Sequence, residues 1–480
     1  MRMRRIGSVT AVAVASLVLT TAGITAATAA QTDTSTLQTD ISVAQYLRQT
    51  MDRLGFQQVL DLAPIDSAQF QALNTGPDKE ATTPAQRVRQ YAANADPKPI
   101  SQQPQIDATV LELDDHGRIV SSGTVLMSPQ YVHGVVVPVD RNHHTTAVRW
   151  RQWEDEGWYT NHGKGTIDVV PGREAAPLDF MLPYPASVLK LMVNFGVLRL
   201  VDQGVVNLAD TYNYQPTTIS SLCGDPTSNT VRGYLDASLT RSSNSASCAL
   251  IKLLWDHNAI DALNQEFQSL GLETLQLVGT NPANGGRWSN AITMSSLDTA
   301  KLLALVNGGS GTLWTAPDGR PVTSAVLKES SRQLFASKLG QEGWNWMLST
   351  TNYCGAQYPA AGIPQVTADR WIAADGTVTV DGNYFGRDVR PCNKAAQVTF
   401  AHKPGWVSNS GADAGIVRSL PGKPRRHYII TVFSNLGDQY QDPQRPPTPP
   451  GVVPVEYTQK FAQLGHAVDR YEAAKCNRQR

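Results

Sequence analysis

The chain has 480 residues, enough for one large or two ordinary domains, and 41% of them are hydrophobic, enough to bury a sizeable core. Lys and Arg together number 41, as do Asp and Glu. This balance provides no global field to draw in nucleic acid or an acidic membrane surface, so a small or neutral substrate fits better.

In chain order, the basic start Met1 to Arg5 precedes an apolar, small-residue run from Val9 to Ala27, with Ala27, Ala29 and Ala30 suited to signal peptidase. Residues 1–30 are therefore expected to be a cleaved secretory signal, leaving a secreted protein without an integral membrane anchor. An uncleaved anchor is the alternative, weakened by the Ala, Thr and Gly content of the run. Residues 31–105 read as an N-terminal helical extension and linker. Ile41 to Ala63 has helical spacing, Pro84 to Ala95 allows a second short helix, and Asp96 to Gln105 is rich in Pro and Gln.

From Ile106 the pattern alternates as in strands, with a hairpin predicted around Asp114-Asp115-His116-Gly117 and further strand-like segments at Val132 to Val139, Thr146 to Trp153 and Thr166 to Val170. Ser187 to Leu200 is apolar apart from Lys190 and Arg199, which predicts a buried helix with the serine at its start. More helix is expected at Ser245 to Trp255, Ala259 to Leu270 and Ser295 to Val306. Strands follow at Val398 to His402, Ala414 to Leu420 and His427 to Ser434, and a final helix runs from about Val455 to Ala474. Strands split by helices indicate an α+β architecture. Five cysteines in an exported chain would meet oxidising conditions. Sequence proximity favours Cys223 with Cys248 and Cys354 with Cys392, and buried free thiols are the alternative.

The chemistry concentrates in three short motifs. Ser187 and Lys190 lie one helical turn apart, so the hydroxyl and the amine share a face, as a base-activated nucleophile requires. Lowering the lysine from its ordinary pKa of about 10.4 toward 7 needs roughly 4 to 5 kcal/mol of desolvation and like-charge repulsion. The apolar helix would supply the first and Lys403 the second. Ser242-Ser243-Asn244 stands at a loop-to-helix junction where such residues ordinarily cap. Beside Ser187 and Lys190, Ser242 becomes a candidate proton relay and Asn244 a candidate ligand for the substrate amide. Lys403-Pro404-Gly405 follows a predicted strand. Gly405 would let a substrate backbone approach, and the backbone N–H groups of Ser187 and Trp406 would form an oxyanion hole. Lys338-Leu339-Gly340 is a weaker competitor in a polar, helix-like setting. His402 should point to the opposite strand face and is read as structural. The tryptophans at 344, 346 and 371 fit either a pocket wall or simple packing.

This order of motifs resembles the class A β-lactamase and penicillin-binding protein superfamily, whose signatures are Ser-x-x-Lys, Ser-Asp-Asn and Lys-Thr-Gly. PASVLKLMVNFGVLRLVDQGVV resembles its nucleophile helix and HKPGWVSNSGADAGIV its strand-to-strand turn. The resemblance implies a five-stranded antiparallel sheet flanked by helices, plus an all-helical subdomain. It places a serine hydrolase domain at 106–476, with 312–396 as an insertion that forms a lid or wall. It also implies Ser187, Lys190, Ser242 and Lys403 as catalytic residues, and Asn244, Gly405, Trp406 and Asn281 as substrate-binding ones. Neither a cofactor nor a metal is expected, and the chain is read as a monomer acting on a small molecule or a peptidoglycan peptide.

Three departures qualify the resemblance. The family's deacylating glutamate falls, by loop position, on Asn281, which cannot act as a carboxylate base; of the replacements considered, Glu273 lies before the loop and Asp298 inside a predicted helix. Pro404 replaces a hydroxyl residue that contacts the substrate carboxylate, and Ala414-Gly415 stands where many members have Arg-Gly. The readings left open are a serine hydrolase working through a Ser187 acyl-enzyme on an amide or ester, β-lactams included; a D,D-peptidase on peptidoglycan peptides; and a binding protein that keeps only the fold.

Overall fold

The computed structural model describes residues 41–61, 98–99, 104–153, 167–355, 360–438, 440–441 and 458–478. The expected signal sequence, the second short helix and most of the linker lie outside the described residues. No described helix is long and apolar enough to cross a membrane.

Alternating apolar residues build one antiparallel sheet from the strands β1 (Ile106–Leu113), β2 (Ile119–Ser128), β3 (Tyr131–Val136), β4 (Val398–Val407), β5 (Ser410–Ser419) and β6 (His427–Ser434). Its spatial order is β4-β5-β6-β1-β2-β3. The predicted β1–β2 hairpin is present, and Asp114 Oδ1 organises its turn by accepting from the N–H groups of His116 and Arg118. The sheet has six strands where five were expected, because Tyr131–Val136 returns along β2 as an extra edge. Val148–Gln152 forms its own parallel pair with Leu178–Leu182. Of the expected strand from Thr166 to Val170, residues 167–170 are described and form no strand; Asp168 makes an isolated bridge to Arg151.

Successive side chains of a strand point to opposite faces, and here both faces are covered. On β6, Ile429 and Phe433 enter one core, while Tyr428, Ile430 and Val432 enter the other. The first core is helical. It takes in α2 (Lys190–Asp202), α3 (Val231–Thr240), α4 (Asn244–Asp256), α5 (Ala259–Ser269), α6 (Ser296–Asn307) and α7 (Glu329–Leu339). As predicted, α2 is buried nearly all round, polar Lys190 and Asn194 included.

The second core holds an element that was expected to be an appendage. The helix α1 (Val43–Leu54) starts in a capping box between Ser42 and Gln45 and buries Val43, Leu47 and Met51. It lies against β2 and β3 and stacks Tyr46 on Tyr471 of the final helix α8 (Thr458–Arg478) at 4.4 Å. The N-terminal segment is thus part of the layer covering the sheet.

The expected insertion divides in two. Phe335 and Leu339 of α7 join the helical core, whereas Trp346, Met347, Leu348, Val378, Val380 and Phe385 pack into the second core. Both guessed disulfides form: Cys223–Cys248 links the loop before α3 to α4, and Cys354–Cys392 closes a loop within the second part of the insertion.

Candidate active site

A tight 3-10 turn over Ala186–Leu189 carries Ser187 and runs directly into α2. Ala186 takes φ +46°, a strained backbone for a residue with a side chain. Close packing holds the strained turn. A Cβ added at Gly405 would come within 2.7 Å of Pro185 O and of Ser187 N, so no larger residue fits without moving the nucleophile turn. The sequence reading assigned Gly405 to close approach by a substrate backbone. The chain's own backbone already occupies that approach.

Lys190, one turn on, is completely buried. Its Nζ lies 2.9 Å from Ser187 Oγ, 3.0 Å from Ser242 Oγ, 2.8 Å from Asn244 Oδ1 and 2.6 Å from the carbonyl O of Ser242. Burial holds the amine well below the ordinary lysine range, and the charge of Lys403 adds to the effect, against the opposing pull of Glu342 and Asp381. Carbonyl and amide oxygens can only accept, so a neutral Lys190 gives its two N–H bonds to Ser242 O and Asn244 Oδ1. Its lone pair then faces the two hydroxyls. This geometry permits an amine to take a proton from a serine.

The loop before α4 divides the work among its residues. Ser243 is the helix cap, its Oγ accepting from Ala246 N, which leaves Ser242, at φ +60°, and Asn244 turned toward Lys190. The junction expected from sequence is present, and the capping and the candidate relay fall to different serines.

Lys403-Pro404-Gly405 was expected to follow the strand; it lies inside β4 instead, because the strand runs on to Val407. A proline is tolerated there because β4 is an edge of the sheet. Lys403 is buried, and its Nζ donates to Glu342 Oε2 at 2.5 Å and to Pro404 O at 3.1 Å. The competitor Lys338 sits on α7 and pairs with Asp236. His402 does face away from the cleft, held between Asp413 Oδ1 at 2.8 Å and Asn345 Oδ1 at 2.9 Å.

Ser187, Ser242, Asn244, Lys403, Gly405 and Trp406 all line one open cleft of about 570 Å³. Two further contributors come from the insertion. Trp344 and Trp346 form an aromatic wall that meets Trp406, with Trp346 and Trp406 packed edge to face at 4.2 Å. The cleft is also lined by an Asp381-Gly382 hairpin tip, where both residues take positive φ, and Asp381 contacts Arg241 at 3.3 Å. Trp371 is packing: it donates to Gln341 O and lies against Gly343.

Asn281 does not join them. It is exposed, and its Oδ1 accepts from Ala283 N to cap a short turn of its own loop. The substitutes considered for it are also engaged elsewhere. Glu273 binds His144 and Arg173, which hold its carboxyl below the usual range, and buried Asp298 accepts from Thr274. Sequence reading missed Glu342, Arg241 and Asp381; only the last carried a local signal, the Asp-Gly pair of a two-residue hairpin.

Residues 182–373 match the family model of the β-lactamase enzyme family, a span that holds Ser187, Lys190, Ser242, Asn244 and Glu342. A search of curated proteins found no match. Among solved structures, the chain is 16% identical to PBP-A, covering 81% of this chain and 94% of that one with a TM-score of 0.41. It is 14% identical to a class A β-lactamase from Bacteroides cellulosilyticus DSM 14838 (81% and 96% covered, TM-score 0.40) and 17% identical to a β-lactamase from Chitinophaga pinensis DSM 2588 (60% and 85%, TM-score 0.38). Over residues 182–373, the family match bears out the resemblance to the β-lactamase family.

Proposed function

We propose, with the β-lactamase family match over residues 182–373 as premise, that the chain is a secreted serine hydrolase acting through an acyl-enzyme on Ser187. The observation that carries this reading is the buried Lys190 amine within 2.9 Å of Ser187 Oγ and 3.0 Å of Ser242 Oγ. Neutral Lys190 takes the Ser187 proton as Oγ attacks the substrate's acyl carbon. The developing oxyanion is held by the backbone N–H groups of Ser187 and Trp406. The proton passes through Ser242 to the leaving nitrogen or oxygen, which departs as the acyl bond to Ser187 completes. Asn244, already an acceptor for Lys190, donates its amide N–H to the substrate. The two disulfides suit export to an oxidising compartment.

Water must then release the acyl group. Asn281 caps its own turn outside the cleft, so this step lacks the Ω-loop carboxylate of efficient β-lactamases. The same observation favours a second reading, a penicillin-binding D,D-peptidase on peptidoglycan peptides, which needs no such carboxylate.

The test is incubation of the full chain with a fluorescent penicillin, followed by intact mass. A long-lived adduct that maps to Ser187 is the expected result. Release of D-alanine from a muramyl pentapeptide would select the peptidase. A folded preparation that forms no adduct with any β-lactam or activated ester would overturn both readings and leave a binding protein that keeps the fold.

A further inference from the structure

Glu342 stands at a crossing of the motifs. It follows α7, is 2% exposed, and gives one carboxylate oxygen to Lys403 Nζ at 2.5 Å. The other oxygen accepts from the N–H groups of Gly343 at 2.9 Å and Trp344 at 3.2 Å. The N–H of Gly343 also donates at 2.8 Å to the carbonyl of Thr240, two residues before Ser242. One carboxylate thus ties together the Lys403 strand, the approach to the Ser242 loop and the start of the aromatic wall. Neither ion of the pair reaches solvent.

We infer that Glu342 is a positioning residue of the acyl-transfer reaction, keeping buried Lys403 cationic and fixed beside the cleft so that Lys190 works next to a constant charge. This rests on the acyl-enzyme reading. An ammonium buried without a counter-ion sheds its proton, and a lysine that becomes neutral no longer repels the proton of its neighbour. The charged groups around Lys403 are Lys190 from α2, Arg241 from the loop between α3 and α4, Asp381 from the hairpin tip, and Glu342. His402 and Asp413 pair with each other on the opposite strand face. Of these, Glu342 alone is in contact with the Lys403 ammonium.

The test is Glu342→Gln in the full chain, with two readouts. The first is the pH dependence of adduct formation with a fluorescent penicillin and with a p-nitrophenyl ester. The alkaline limb is expected to move down by about one pH unit or more, with a roughly 10- to 100-fold slower reaction at neutral pH. Glu342→Asp, which keeps the charge, should move it less. The second is nitrogen NMR of labelled lysines, with the Lys403 signal identified by its loss in Lys403→Met; that signal should turn neutral at lower pH in Glu342→Gln.

An unchanged pH profile together with an unchanged Lys403 titration overturns the inference. If the parent forms no adduct, the acyl-enzyme reading falls and the NMR titration alone decides the role of Glu342. If Glu342→Gln does not fold, the double variant with Lys403→Met removes both charges. Recovery of a cooperative thermal transition then supports a charge-holding role, and failure to recover points to packing alone and overturns it.

Discussion

The turn at 186–190 and the loop at 279–288 face opposite problems. The first is held from several directions: Gly405 of β4 lies against its backbone, Ser242 and Asn244 from the α4 loop reach its lysine, and α2 continues it into the core. The second is held by other partners: the Trp255 indole donates to Thr280 Oγ1, the Tyr214 hydroxyl to Gly285 O, and the Trp288 indole to the Tyr184 hydroxyl. Asn281 bonds within its own turn, and its short ladder pairs Thr280 with Trp288 and Asn281 with Arg287. Geometry invested in one place and missing from the other teaches that forming an acyl-enzyme and hydrolysing it are separable properties of a fold. On the proposed reading, this chain carries the structure for the first.

The comparison breaks most visibly at Lys190. Lys190→Met should slow adduct formation by roughly 10²- to 10⁴-fold, the usual worth of a positioned base. In the parent, the rate should rise with pH through a midpoint well below the ordinary lysine range, because only the neutral amine accepts the serine proton. A stopped-flow pH profile without that rise would remove Lys190 as the base. Folding carries the same sign. The unfolded chain binds a proton that buried Lys190 does not, so stability should fall as pH drops from about 10.5 toward the lowered value and level off below it.

Next in size is Gly405→Ala. The added methyl meets backbone atoms at 2.7 Å, which cannot rotate away, so the Ser187 turn must shift. A displacement approaching 1 Å costs on the order of 100-fold in rate, and overpacking costs about 1 to 3 kcal/mol of stability. Wild-type adduct kinetics in this variant would show that the turn is not held by β4.

The smallest effect is expected at Asn281→Glu. Loop alignment suggested that this change would restore the deacylating base. With its side chain outside the cleft, it should leave the release rate of the adduct unchanged and cost about 0.5 to 2 kcal/mol through the lost cap. Faster release, followed by mass spectrometry, would place the loop back at the site.

What could be read from sequence was local. Ser187 and Lys190 share a face because a helical turn puts them there, and the strand alternation of β4, β5 and β6 follows from period two. Glu342 was invisible, since its partner lies 61 residues away and nothing beside it marks an ion pair. Asn281 was misplaced by matching loop position to function. Read for its own chemistry, Asn before Pro signals a turn and a cap. The sixth strand was legible as a strand-like segment at Val132 to Val139, but the resemblance implied five strands, and only the pairing with β2 shows that this half-buried edge joins the sheet.

The strand order also sets a timetable for folding. Strand β1 is bordered on one side by its hairpin partner and on the other by β6, and at its start Gln105 N–H bonds to an Asn435 side chain 330 residues away. Contacts so distant in sequence close late. A chain emerging from its amino end therefore exposes Ser187 and Lys190 long before Lys403, Gly405 and Trp406 exist to complete the cleft. The last strands thus complete the cleft only when the chain is nearly whole.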